Sequence, residues 1–182
     1  MKIFISWAKD SAKEMALAFH SWLPKVTLSM VETWCSADPK CLPHGSGYPN
    51  TILENAKNSD ACLVILTREN LSGWWVNFES GLFFGQNKKV YAVLCGDLTH
   101  EMLGAQSHPL SVNGVNYTFI SEDSLSSFLT SLKPEDPKWV GIDFKAQVSN
   151  NFETMKKKYN CIFNENYIRM SNILSGACDD LL

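Results

Sequence analysis

The chain lacks most of the features that would place it outside ordinary globular chemistry. Its six cysteines, at 35, 41, 62, 95, 161 and 178, form no Cys-x-x-Cys pair. Cys62 and Cys95 sit inside apolar runs, where a thiol behaves as a small hydrophobe. Free thiols in a reducing cytoplasm are therefore the expectation. Neither sign of charge dominates: the net charge of −3 gives no reason to expect direct nucleic-acid binding or an anionic membrane as partner. The longest apolar stretch, Leu71 to Phe84, is too short for a membrane span and is broken by Asn77, Glu79 and Ser80. The beginning, Met1-Lys2-Ile3-Phe4-Ile5-Ser6, turns polar at Lys9 and does not read as a signal peptide. The four histidines are scattered, and no metal-ligand cluster is evident, so no metal is expected.

Several nucleotide and catalytic motifs are missing as well. No Gly-x-x-x-x-Gly-Lys-Ser/Thr follows a strand, which excludes a P-loop, and no Gly-x-Gly-x-x-Gly suggests a standing dinucleotide cofactor. A phosphoacceptor receiver would need acidic residues after its first strand and an Asp ending its third. Here those places hold Ser6-Trp7 and Leu66-Thr67. The Gly-x-Ser-x-Gly elbow of a hydrolase is absent, and Gly45-Ser46-Gly47 reads as a loop hinge.

What is present is an alternation of strands and helices. Hydrophobic residues make up 45% of the 182, enough for a real core. Ile3-Phe4-Ile5 predicts a buried first strand. Asp10 can cap a helix whose apolar stripe, Met15 to Leu23, ends before Pro24. Val31 to Ser36 predicts a second strand, and Ala37 to Pro49, rich in Pro and Gly, a loop. Asn50 can cap a helix through Ile52, Leu53 and Ala56. Ala61 to Leu66 is apolar throughout, as a central parallel strand should be. A helix over Ser72 to Gln86, strands over Val90 to Cys95 and Val115 to Ile120, and a helix over Ser124 to Leu132 follow. This order predicts a mostly parallel sheet of five strands with helices on both faces. A boundary falls in Lys133 to Gly141, and residues 142 to 182 read as a helical extension that either packs back or serves an interface. In such sheets ligands gather beyond the carboxyl ends of the strands, here Ser6-Trp7, Trp34 to Asp38, Thr67 to Trp75 and Cys95 to Asp97.

The helix over Ser72 to Gln86 has one charged residue, Glu79. A carboxyl group in so apolar a helix is costly unless it is hydrogen-bonded, paired or poised for use. Trp75 stands four residues earlier, on the same face. An aromatic plane beside a desolvated carboxylate suits a flat cationic ring attached to a ribose. The structural alternative is a half-exposed Glu at the helix edge, paired with a Lys. By the same geometry Trp74, off the Glu79 face, is expected in the core.

Four blocks in order give the chain a family likeness. Ile3-Phe4-Ile5-Ser6-Trp7, Trp34-Cys35-Ser36-Ala37-Asp38 followed by Gly45, Ile52 through Asn70, and the Trp-x-x-x-Glu segment within Ser72 to Gly81 together resemble the bacterial TIR (Toll/interleukin-1 receptor) domain family over residues 1–132. The resemblance implies a flavodoxin-like TIR fold, with residues 133–182 as linker and helical extension. It also implies cleavage of the nicotinamide–ribose bond of NAD, with Glu79 as the catalytic carboxylate. The product would be ADP-ribose, a cyclic isomer or a conjugate. Ser6, Trp7, Lys9, Trp34, Ser36, Asp38 and Trp75 are the substrate-binding candidates. Some NAD-cleaving members carry an Arg pair where this chain has Ala8-Lys9, so Lys9 alone would meet a phosphate. Core packing is the alternative for Trp34. The loop containing Pro39, Cys41, Pro43, His44 and Gly45 should gate the site or mediate assembly. NAD would be substrate, with no cofactor. The likeness further implies a cytoplasmic homo-oligomer in Thoeris-like antiphage defence, acting through a separate effector protein. A non-catalytic TIR–TIR adaptor is the competing expectation.

Overall fold

A computed structural model describes residues 1–42, 48–105, 108–111, 115–132 and 137–179, with side chains described as far as Phe163 and not for Tyr48 and Ala105. The chain alternates strand and helix: β1 (Lys2–Ser6), α1 (Asp10–Val26), β2 (Glu32–Cys35), α2 (Tyr48–Lys57), β3 (Ala61–Leu66), α3 (Trp74–Phe84), β4 (Lys89–Leu94), α4 (His100–Ala105), β5 (Val115–Thr118), α5 (Glu122–Leu132) and α6 (Phe144–Asp179). The five strands form one parallel sheet in the order β2-β1-β3-β4-β5. This is an α/β fold with the flavodoxin-like strand order.

Strand alternation sorts the core into two layers. Ile3, Ile5, Leu63, Ile65 and Val93 face α1 and α5. Phe4, Trp34, Val64, Leu66 and Ala92 face α2, α3 and α4. Strands buried on both sides explain the unbroken apolar runs of β3 and β4. The extension joins the first layer: Trp139, Phe144, Val148, Phe152 and Met155 pack into the core beside α1 and α5. Farther along α6, the Tyr159 hydroxyl accepts the Gly96 N–H at 2.9 Å and donates to the Gly96 carbonyl at 3.1 Å. Gly96 has φ 74°, and a Cβ there would meet the Phe163 ring at 3.4 Å. The extension thus grips the turn at the carboxyl end of β4.

Several predicted boundaries shift. Helix α1 does not stop before Pro24 but runs on to Val26. Proline removes the N–H that would bond the His20 carbonyl, and the Thr33 hydroxyl of β2, 3.1 Å away, donates to that carbonyl instead. Asp10 is the first helical residue of α1 and not its cap; Lys9 stands there with φ 72°. Asn50 lies inside α2, which already begins at Tyr48, with Pro49 in the first turn where proline is tolerated. Helix α3 starts at Trp74 behind Gly73. A Cβ on Gly73 would come within 2.9 Å of the Asn70 carbonyl. Strand β5 ends at Thr118, before Ile120.

Candidate active site

The β1 connection runs through α1 to β2 on one side, and the β3 connection through α3 to β4 on the other. Their divergence makes the carboxyl ends of β1 and β3 the switch point of the sheet, the usual ligand position in such folds. Buried Asn70 braces this switch point. Its side-chain amide donates to the Ala8 carbonyl at 3.1 Å and the Ile65 carbonyl at 2.8 Å, and its Oδ1 accepts the Thr67 N–H at 2.9 Å. One side chain therefore ties the β1 turn to the β3 end. Ser11 at the start of α1 adds a second tie, donating to Glu69 at 2.8 Å.

Ser6 is the last residue of β1 and shares the face of Phe4, so its hydroxyl points toward α3. Helix α3 buries Val76, Glu79, Ser80 and Phe83, the stripe expected of a helix lying on a sheet. Glu79 is thus at a core-facing position, 2% exposed, and not at the helix edge. The Ser6 hydroxyl donates to Glu79 Oε2 at 2.6 Å. The Trp75 side chain also hydrogen-bonds the carboxyl group. Among the described residues no Lys, Arg or His forms a salt bridge with it. Burial pushes its pKa from 4.5 up to about 8, while the bonds from Ser6 and Trp75 pull the other way. The neighbouring Cys62 thiol is raised by burial and, further, by Glu79. At neutral pH the closed site holds Glu79 mostly as a neutral acid.

The other predicted residues fall in different places. The Trp7 indole N–H donates to Ser36 Oγ at 3.0 Å, and Lys13 Nζ stands 6.0 Å above the Trp7 ring. Trp7 packs against the α1-side core. Lys9 is exposed at the N-cap, with φ 72° and ψ 161°. That region is normally reserved for glycine and costs about 1–3 kcal/mol. Trp34 is 5% exposed and stacks on Phe4 with centroids 4.8 Å apart, so it serves the core. Asp38 turns away from Glu79. Its Oδ2 lies 3.2 Å from His20 Nε2, and its Oδ1 accepts the Lys40 N–H at 2.8 Å. The structure therefore gathers Ser6, Glu79 and Trp75 on the α3 side, and Trp7, Ser36 and Asp38 on the α1 side. Pro43, His44 and Gly45 of the expected gating loop, and the Gly45-Ser46-Gly47 hinge, lie outside the described residues.

The expectation for Trp74 is reversed. Its side chain is 71% exposed, and the half-buried one is Trp75. Trp74 precedes the Val76–Glu79–Phe83 stripe and faces out from the first turn. Sequence reasoning also missed Asn70 as a switch-point strut and the approach of His20 and Cys41 to Asp38, which form a potential metal-ligand group. An Asn just past an apolar strand, and the Asp38-x-x-Cys41 spacing, are the only signals for them in the chain. A groove of about 340 Å³ between α1 and α6, bordered by Leu17, Trp22 and Met155, holds none of the predicted site residues. A smaller one of about 180 Å³, between Arg68, Leu71 and Met102, lies beyond the carboxyl ends of β3 and β4, and Glu79 does not line it.

Among the described residues no helix is long and apolar enough to cross a membrane. Comparison with family models, curated proteins and solved structures gives no match.

Proposed function

We propose that the protein cleaves the nicotinamide–ribose bond of NAD, with Glu79 as the catalytic carboxyl group, in keeping with its resemblance to bacterial TIR domains. One observation carries this reading: a carboxyl group 2% exposed, without a basic partner among the described residues, is held by Ser6 at the end of β1, at the switch point of the sheet. A fold gains nothing from that arrangement, because a buried carboxyl group with so few partners is destabilising. A reaction that develops positive charge does gain from it.

The chemistry follows from the environment. Burial holds Glu79 neutral in the free protein, and the cationic nicotinamide ring draws it to the anion, its proton passing to solvent as the substrate binds. The carboxylate then stabilises the oxocarbenium-like ribose and hydrogen-bonds its hydroxyls, as glycosidase carboxylates do. The C–N bond breaks with its electron pair leaving on nicotinamide, which departs neutral. Water adds to the ribose carbon and loses a proton to solvent, giving ADP-ribose; an internal nucleophile gives a cyclic isomer. Trp75, half-buried beside Glu79, supplies a face for the ring. NAD is the substrate, and the steps call for no further cofactor. The same likeness extends the proposal to a cytoplasmic homo-oligomer in antiphage defence whose product acts on a separate effector protein.

The test is to incubate concentrated protein with NAD and follow nicotinamide and the ribosyl product by chromatography, wild type against Glu79→Gln. Equal release by both overturns the assignment. A second reading, a TIR–TIR contact module, is favoured by the outward aromatics of α3: Trp74 is 71% and Phe78 44% exposed, each packed on Trp75. No release by concentrated wild type, together with self-association lost in Trp74→Ala, would support that reading instead.

A further inference from the structure

His20 stands on α1 and Thr33 on the edge strand β2. Pro24 has no N–H for the His20 carbonyl, and the Thr33 hydroxyl 3.1 Å away donates to it. The same hydroxyl oxygen lies 2.7 Å from His20 Nδ1, where it can accept the ring hydrogen. With the ring hydrogen on Nδ1, the imidazole presents the Nε2 lone pair. That lone pair faces Asp38 Oδ2 at 3.2 Å and Cys41 Sγ at 4.0 Å. A proton or a metal cation can join nitrogen and carboxylate at that distance. A proton would serve the His–Asp pair alone and leaves Cys41 without a role. Nitrogen, oxygen and sulfur all lie within 4.8 Å of one another.

We infer that the protein binds one divalent transition-metal ion of the zinc class through His20 Nε2, Asp38 Oδ2 and Cys41 Sγ. Tetrahedral bonds of about 2.0–2.2 Å to nitrogen and oxygen and about 2.3 Å to sulfur give ligand–ligand edges of roughly 3.4 and 3.6 Å. The His20–Asp38 distance is close to its edge, and Cys41 needs to approach His20 by roughly half an ångström and Asp38 by up to about 1.2 Å. Mixed nitrogen, oxygen and sulfur ligation suits zinc and not magnesium or calcium. Both ring and carboxylate already have the outer partners that metal ligands use: Thr33 orients the imidazole, and the Lys40 N–H holds Asp38 Oδ1 at 2.8 Å. On binding, the Cys41 thiol gives its proton to solvent and coordinates as thiolate. The fourth position is left to water. The ion ties the segment after β2, just beyond the Ser36 that holds Trp7, to α1. This site is independent of the Glu79 chemistry.

The test is titration of the metal-free full chain with Co²⁺, followed by absorbance, then competition with Zn²⁺. One Co²⁺ per chain is expected, with a thiolate-to-cobalt charge-transfer band and tetrahedral-intensity visible bands, all lost on adding Zn²⁺. Cys41→Ser abolishes the charge-transfer band and weakens binding about 100-fold or more. Thr33→Val keeps all three ligands and weakens binding about 10- to 100-fold. A Cys161→Ser, Cys178→Ser double variant leaves the bands unchanged. Far-ultraviolet circular dichroism of each metal-free variant checks that it is folded. No uptake by folded wild type, bands that persist in Cys41→Ser, or bands lost in the double variant each overturn the proposal.

Discussion

Glu79 and Asp38 are both carboxyl groups close to the carboxyl end of the sheet, one on the α3 side and one on the α1 side. Glu79 is buried against Cys62 and the sheet, and its pKa rises to about 8. Asp38 is partly open to water, accepts the Lys40 N–H, faces His20, and is held below its ordinary 3.8. The same functional group thus becomes a reserve of protons on one side and a standing anion on the other. Solvation makes the difference: Glu79 keeps two side-chain hydrogen bonds, yet the loss of water outweighs them. A group kept where it costs stability is a candidate for chemistry; a satisfied surface anion is a candidate for structure or for holding a cation.

The largest effect expected is on activity. Glu79→Gln lowers nicotinamide release by about a hundred- to a thousandfold, read as kcat at saturating NAD. Asp38→Asn, by contrast, leaves release within about tenfold, since Asp38 turns away from Glu79. Equal losses in the two variants would break the comparison.

The next effect is on stability, and it runs opposite to activity. The folded pKa of Glu79 lies above its ordinary 4.5, so the native state holds the extra proton between about 4.5 and 8. Native stability therefore falls as pH rises through that window and levels off above it. Glu79→Gln removes the titration. At pH 9 the variant should exceed wild type by a few kcal/mol, at about 1.4 kcal/mol for each tenfold change in proton affinity, and near pH 4 the gap should close. Urea unfolding at both pH values measures it. Asp38 has the reverse sign: its contribution is present above its ordinary 3.8 and is lost as pH falls below it. Asp38→Asn should cost under about 1 kcal/mol at pH 7, because the pair with His20 is partly exposed.

A third test sharpens the Glu79 side. Ser6→Ala removes a donor that favours the anion, so the pH at which kcat/KM reaches its plateau should move upward from about 8. An unchanged profile with reduced kcat would assign Ser6 to substrate positioning instead. The smallest effect is expected at the N-cap of α1: Lys9→Gly relieves the φ 72° backbone and should stabilise the fold by about 1 kcal/mol.

Much of the fold was legible because burial on both faces leaves a local mark. Ala61–Leu66 is apolar at every position, and the predicted and observed strands coincide. Glu79 was legible for the opposite reason, as the single charge where none is cheap. Pro24 misled, because the donor that lets α1 continue past it sits on β2, nine residues farther on. Trp75 was read correctly onto the Glu79 face, but Trp74 was misassigned to the core, because α3 is apolar on nearly every side and its periodicity did not mark which residues turn to water. Trp34 and Asp38 stood among the strand-end candidates, but strand parity sent one into the core and the turn after β2 carried the other toward α1.

The order of elements, the parallel sheet and the isolation of one acidic residue in an apolar helix are set by neighbours in the chain, through side-chain periodicity and local propensity. The partners of that acid are not. Ser6 and Glu79 are 73 residues apart, as are no neighbours on a single element, and meet because the face of β1 and the buried stripe of α3 close on each other. His20, Asp38 and Cys41 likewise become a group only when β2 lies along β1 and α1 folds back over it. Desolvation and ligand geometry depend on such packing, and these are the quantities that tell a proton reserve from a standing anion.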